Sequence, residues 1–407
     1  MKNKAKHKPA DRIQDLQFFG EFGGVNPSIS DSATYTFLSA KTMLDTFHGE
    51  ADGCYLYSRH SSPSTRYLSE ALAAMENTES ALVTASGMGA ITSVLMHLLR
   101  AGDHVVSSRT VYGGTYAFLK NFLPKYGIRV SFVDITDTAK VEAAIEPGTK
   151  LIYTETLSNP LLEVADIPAL SSIARRHGIP LVVDNTFTPL IFSPAELGAD
   201  IVIHSLTKFI NGMNDMVGGC VCGRSDFIED LRNVNDGAAM LLGPVMDSLR
   251  AAEVLKNMHT LPVRMVKHSQ NALALARALD KAGLRVKYPG LPSHPQHELF
   301  KRMMNPEFGF GGMITLDLET AGHAAEFMER MQDANVGYLA VSLGFYKTLF
   351  NAPGKGTSSE VPPEEQKAMG LSEGLVRFSM GLDFDIDRTT RKILNVLQSM
   401  QQADGVR

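Results

Sequence analysis

Short runs rich in β-branched residues alternate with stretches of helical spacing through the middle of the chain. Apolar residues recur at three- and four-residue intervals in Arg66–Asn77 (RYLSEALAAMEN) and Gly87–Arg100 (GMGAITSVLMHLLR), which predicts two helices. Ala81–Ala85, His104–Ser107, Arg129–Val133, Leu151–Thr154, Leu181–Val183 and Ile201–Ile203 read as strands. Helical stretches at Thr115–Tyr126, Thr138–Ile145 and Ile167–His177 fall between them, and Gly178-Ile179-Pro180 stops the last of these. Strands separated by helices predict an α/β fold whose mostly parallel sheet is covered on both faces.

Beyond residue 240 the order changes. Helical patterns at Val245–Asn257 and Val266–Ala282 lead to strands at Arg285–Tyr288 and Gly312–Leu318, a helix at Ala321–Asp333 and a strand at Leu375–Ser379. That order predicts a smaller α+β unit. Residues 13 to about 65 are weakly periodic and rich in Gly, Ser, Pro and Asp, as expected of an extended arm lying on another surface. The expected division is an arm at 1–65, a large domain at 66–260 and a small domain at 261–407.

Composition narrows the function. The 407 residues are 44% hydrophobic and 20% charged, which is globular. The net charge of −5, with no basic block beyond the Lys-rich first residues, argues against nucleic acid as a partner. No apolar run reaches the roughly 20 residues that span a bilayer, and no secretory segment follows the basic start. Three cysteines, Cys54, Cys220 and Cys222, are too few for a disulfide framework and fit a reducing, cytoplasmic location. Cys220 and Cys222 read as buried residues of a strand at Val217–Cys222 and not as zinc ligands.

In an open parallel sheet, ligands bind beyond the carboxyl ends of the strands. Ser86-Gly87-Met88-Gly89 follows one strand and opens a helix, which suits an anion, although a tight strand–helix turn uses glycine for steric reasons alone. It matches neither a Walker loop nor a dinucleotide fingerprint. Asp184 ends a buried strand, where it is either a charge in need of a partner or the cap of the next turn. Lys208 follows another strand in His204-Ser205-Leu206-Thr207-Lys208, where it is either a nucleophile or a solvated loop residue. A phosphate cradle, a carboxylate and a lysine in that order are what pyridoxal 5'-phosphate requires: an anchor, a partner for the ring nitrogen and an amine for the aldehyde.

Several ordered segments carry a wider likeness. They are Tyr57-Ser58-Arg59, Ser86-Gly87-Met88-Gly89-Ala90-Ile91, Tyr112-Gly113-Gly114-Thr115, Glu155-Thr156-Leu157-Ser158-Asn159-Pro160, Val183-Asp184-Asn185-Thr186-Phe187, Ser205-Leu206-Thr207-Lys208-Phe209, Ser342-Leu343-Gly344 and Val376-Arg377-Phe378-Ser379-Met380-Gly381-Leu382. From about Tyr55 to Asp383 the chain resembles the Cys/Met-metabolism family of pyridoxal-phosphate enzymes, which includes cystathionine γ-synthases, cystathionine lyases, methionine γ-lyases and homoserine-ester sulfhydrylases.

The resemblance implies a fold-type-I pyridoxal-phosphate enzyme with a mostly parallel seven-stranded sheet in its large domain. It implies that Lys208 carries the coenzyme, that Asp184 meets the ring nitrogen, and that Gly87, Met88, Ser205 and Thr207 hold the phosphate, with Thr186 in the same site. Tyr57 and Arg59 would reach the phosphate of an adjacent subunit in a homotetramer. Tyr112 would stack on the ring and assist proton transfer, Asn159 would meet the ring hydroxyl, and Ser342 with Arg377 would hold the carboxylate of an amino-acid substrate.

Departures from the family pattern bear on the substrate. Ser62-Pro63-Ser64 replaces Asn-Pro-Thr, Met213 replaces His, Lys347 stands where an acidic residue is common, and Asn351-Ala352-Pro353 replaces His-Pro-Ala. Val341 favours a methionine γ-lyase over a cystathionine enzyme, whereas Gly114, in place of the Cys of methionine γ-lyases, favours another specificity. The expected reaction is γ-elimination from an L-amino acid with a heteroatom at Cγ. The alternatives are γ-replacement, an oxygen-linked substrate such as canavanine, or a non-catalytic relative, which the retention of Lys208, Asp184, Tyr112 and Arg377 weighs against.

Overall fold

The computed structural model describes residues 7–51, 53–356 and 359–404. Seven strands form the larger sheet: β1 (Ser80–Thr84), β2 (His104–Ser108), β3 (Arg129–Val133), β4 (Thr149–Glu155), β5 (Leu181–Asp184), β6 (Ile201–Ser205) and β7 (Gly219–Gly223). Their order is β1-β7-β6-β5-β4-β2-β3, and only β7 runs antiparallel to its neighbours. The sheet is therefore mostly parallel, as the alternation of strands and helices predicted.

Alternation along each strand fills both faces. Leu181 and Val183 pack on one side with Leu68, Leu72 and Met75 of the helix Pro63–Glu76. Val182 packs on the other with Ile91, Val94 and Leu95 of the helix Gly87–Leu98. Each such side chain contributes roughly 1.5–3 kcal/mol by leaving water. One helix differs from expectation. Thr115–Tyr126 is not continuous: Gly113–Ala117 is α-helical, Phe118–Phe122 is a π turn and Leu123–Tyr126 a 3-10 turn. Pro124 lacks the N–H a continuous helix needs, and Phe118 and Phe122 stack with ring centroids 5.0 Å apart across the widened turn.

The smaller sheet has five strands: β8 (Arg285–Lys287), β9 (Met313–Asp317), β10 (Gly337–Leu339), β11 (Thr348–Asn351) and β12 (Leu375–Ser379), in the order β10-β11-β12-β9-β8. The pattern had shown no strand at β10 or β11, which are three and four residues long. The helix Leu261–Lys281 joins the two halves, placing Leu261 and Met265 in the large core and Ala272, Leu275 and Leu279 in the small one. Val376 and Phe378 face the small core, so Arg377 between them points the other way, toward the large sheet.

Residues before the helix Pro63–Glu76 make little core. Phe22, Val25 and Leu38 lie almost fully exposed, as an arm awaiting another surface would. No helix among the described residues is long and apolar enough to cross a membrane.

Behind the large sheet, Glu76 and His204 form a fully buried pair, 2.6 Å apart. Burial alone would lower the His204 pKa, but the hydrogen bond and charge of Glu76 outweigh it and raise it from 6.5 to about 9. A raised folded-state value means the stabilisation is full below pH 6.5 and lost as pH rises through about 9. Urea midpoints should therefore fall between those limits, and Glu76→Gln should flatten that slope. Glu76→Ala should cost roughly 3–5 kcal/mol because it strands a buried cation.

Candidate active site

The site lies at the carboxyl ends of β4, β5 and β6, where each strand releases one polar side chain. A cavity of about 280 Å³ there is lined by eleven of the thirteen residues singled out above: Gly87, Met88, Tyr112, Asn159, Asp184, Thr186, Ser205, Thr207, Lys208, Ser342 and Arg377. Tyr57 and Arg59 lie outside it. The Arg59 guanidinium sits 5.8 Å from the centre of the Tyr57 ring and donates to the Met240 carbonyl at 3.1 Å, on the surface to which the arm belongs.

At the anion end, the Ser86 hydroxyl caps the helix Gly87–Leu98 by accepting from the Gly89 N–H at 2.9 Å. The helix N-terminus thus presents its free N–H groups to the cavity. A Cβ on Gly87 would fall 2.9 Å from the Ser205 Cβ, so only glycine lets this turn lie against the end of β6. The Ser205 N–H donates to the Thr186 hydroxyl at 2.8 Å, and the Thr207 hydroxyl accepts from the Gly218 N–H at 3.0 Å. These contacts fix the hydroxyls of Thr186 and Thr207, and Ser205 lies against Gly87 at the helix end.

At the carboxylate end, Asp184 accepts from the Thr186 N–H at 2.9 Å. It makes no ion pair with a Lys or Arg among the described residues, and burial raises its pKa. Burial, then the charge of Asp184, also raises Glu155, to about 8. Sequence reasoning assigned Glu155 no role. It accepts from the Tyr112 N–H at 2.6 Å and the Asn159 N–H at 2.9 Å, so one carboxylate orients two of the expected site residues. Its position at the end of β4, matching Asp184 at the end of β5, was the signal available.

Lys208 lies in the turn after β6. The Arg264 guanidinium holds that turn by donating to the carbonyls of Phe209 and Ile210. Burial, and then the nearby Arg377 charge, lowers the Lys208 pKa to about 8, which makes the free amine more available near neutrality than for an ordinary lysine. Gly344, at φ +79°, brings the small-domain loop so close that a Cβ there would lie 2.6 Å from the Phe209 nitrogen. Ser342 of this loop accepts from the Lys208 ammonium at 3.4 Å. Arg377 donates to the Asn159 side-chain oxygen at 2.8 Å, and burial lowers its pKa to about 10.

These features fit a phosphorylated pyridine aldehyde: donors at a helix end, a buried acid without a Lys or Arg partner among the described residues, and an amine of depressed basicity lining the same cavity. A fold of this topology with such a site defines a fold-type-I pyridoxal-phosphate enzyme. The family model for the Cys/Met metabolism PLP-dependent enzymes matches residues 13–390, and the chain belongs to that family. It is an enzyme of that class, and its cofactor is pyridoxal 5'-phosphate.

The chain is 46% identical to the methionine γ-lyase of Arabidopsis thaliana over 92% of this chain and 86% of that one. It is 38% identical to the O-succinylhomoserine sulfhydrylase of Pseudomonas aeruginosa, over 90% and 89%. A Campylobacter jejuni structure holding an N'-pyridoxyl-lysine-5'-monophosphate superposes with a TM-score of 0.88, at 29% identity, over 96% of this chain and all of that one.

Gly87→Ala should force the Ser205 side chain away from the helix end. We expect cofactor retention to fall, read from visible absorbance after dialysis, with a stability loss of about 1–3 kcal/mol from overpacking.

Proposed function

We propose that this chain is a γ-lyase that removes a Cγ substituent from an L-amino acid, as methionine γ-lyase does. For methionine, substrate and water would give 2-oxobutanoate, ammonia and methanethiol. The observation that carries the reading is the apolar part of the cavity's lining. Val341, Val217, Leu157 and Phe187 form it, with no acidic side chain at 341 to recognise the distal amino group of cystathionine. Such a wall suits a small apolar γ-substituent.

When bound, the cofactor supplies the electron sink for the pair left at Cα. In this reading Arg377 fixes the substrate carboxylate, and Asn159 holds the guanidinium in place. Lys208 takes the Cα proton as free amine and returns protons later in the cycle. Tyr112, whose N–H is tied to Glu155, protonates the departing γ-atom. Asp184 keeps the ring nitrogen protonated, and its raised pKa falls once that cation is in place. Gly87, Met88, Thr186, Ser205 and Thr207 hold the phosphate end.

We further propose a homotetramer in the cytoplasm. The arm's exposed apolar side chains, and the position of Tyr57 and Arg59 outside their own chain's cavity, support sites shared between subunits. The three free thiols suit a reducing compartment.

A second reading is γ-replacement, and Gly114, in place of the Cys of methionine γ-lyases, favours a specificity other than theirs. A Cβ there would lie 2.6 Å from the Tyr112 ring, so the ring takes the space a larger residue would fill. A panel of γ-substituted substrates decides between the two. We expect 2-oxobutanoate from methionine and homocysteine; a replacement product formed from acyl-homoserine and thiol, without 2-oxobutanoate, would establish the second reading. Canavanine belongs in the panel because Lys347, its ammonium 4.8 Å from the centre of the Tyr338 ring, stands in a loop where an acidic residue is common. Arg377→Ala should lower kcat/KM roughly 10–100-fold, as expected for loss of a charged hydrogen bond to the carboxylate.

A further inference from the structure

The loop after Lys208 departs from the family pattern at Met213, and the residue beside it, Asn214, reaches the small domain. The Ser342 hydroxyl lies 2.8 Å from the Asn214 side-chain oxygen. Two oxygens at that separation need a proton between them, and the amide oxygen has none. Ser342 must therefore be the donor, which leaves its lone pairs to face the Lys208 amine 3.4 Å away.

We propose that Asn214 is a positioning residue for Lys208: it fixes the direction of the Ser342 hydroxyl, so that Ser342 accepts from the amine and holds it at the cavity. The loop is braced for this. Asn257 donates to Asn211, and Asn211 to Asp215, each at 2.8 Å. Asn214 itself has φ +54°, a left-handed conformation that asparagine tolerates better than most residues. The other charged or titratable groups that line the cavity with the amine are Arg377 from β12, whose charge acts on it, Asp184 from β5, Glu155 from β4, and Tyr112. None of them shares the Asn214 loop, where Asp215 is the nearest charge in sequence.

The catalytic role of the amine rests on the γ-lyase reading; the hydrogen-bond direction does not. The test uses the full-length chain freed of cofactor. Lys208 is acylated with acetic anhydride across a pH series and quantified by peptide mass spectrometry, which gives the amine's titration midpoint. Asn214→Gly keeps the positive φ without strain and removes only the carboxamide. It frees Ser342 to rotate and donate, so the ammonium loses an acceptor and the midpoint falls, as it does in Ser342→Ala. Asn214→Asp places a carboxylate one hydrogen bond further out and raises the midpoint by about one pH unit. In the γ-lyase assay, Asn214→Gly lowers kcat with little change in KM. A fall in the Gly variant with a rise in the Asp variant supports the proposal, and any other pattern of midpoints overturns it. Because labelling needs no turnover, a wild-type chain without γ-lyase activity would sink the functional reading and leave this result standing.

Discussion

Asp184 is the constraint around which the molecule is arranged. A carboxylate buried at the end of β5 without a Lys or Arg partner is costly, and its raised pKa is that cost expressed as a proton affinity. Glu155, at the end of β4, adds a second acid whose pKa rises for the same reason. Stranded acids of this kind persist in a fold when a bound cation repays them. A protonated pyridine ring is such a cation, and the amine that would tether it lies in the turn after the next strand. Cofactor affinity and the charge distribution of the site are therefore two views of one design.

The small sheet completes that design through simple alternation. Val376 and Phe378 are fully buried against its helices, which turns Arg377 to the opposite face. Arg377 pairs across the sheet with Asn351 and Thr315, so a polar row replaces apolar packing along that line. A buried guanidinium with its pKa lowered to about 10 is held by one side-chain acceptor, Asn159, which belongs to the large domain. Its remaining donors are available for a carboxylate. The same cation lowers Lys208, so the group that would bind substrate also keeps the amine reactive.

Most of this architecture could be read before any coordinates. Short runs rich in β-branched residues located β1 to β6 within one or two residues, and the positions of Ser86, Asp184 and Lys208 after those strands pointed to the cavity. What escaped reading shares a physical cause. Strands β10 and β11 are too short to show a period, and the π turn at Phe118–Phe122 keeps helical spacing while changing its hydrogen bonds. Glu155 stood at a strand end where it could have been noticed, but its bond to Tyr112, 43 residues away, and the contact of Asn214 with Ser342 between domains are encoded by no local pattern. Met213 was visible as a departure, but its neighbour's contact with Ser342 needs the fold.

The departures fall in different places: Val341 lines the cavity, Gly114 lies against the Tyr112 ring, Asn351 pairs with Arg377 across the small sheet, and Ser62 caps the helix Pro63–Glu76. Cofactor-facing positions must satisfy a fixed phosphate, a fixed ring nitrogen and a fixed aldehyde, so few side chains serve. The mouth has only to admit one substituent and exclude others. Hydrophobic selection is weak there, about 1–3 kcal/mol per methylene-sized difference. Val341, 64% exposed, therefore shapes preference without enforcing it, and discrimination must come from groups that are buried and hydrogen-bonded. The buried polar residues that line the cavity, Glu155, Asn159, Asp184 and Arg377, belong to its carboxylate and ring end. It follows that selection should be strict for the amino-acid moiety and permissive for the γ-substituent.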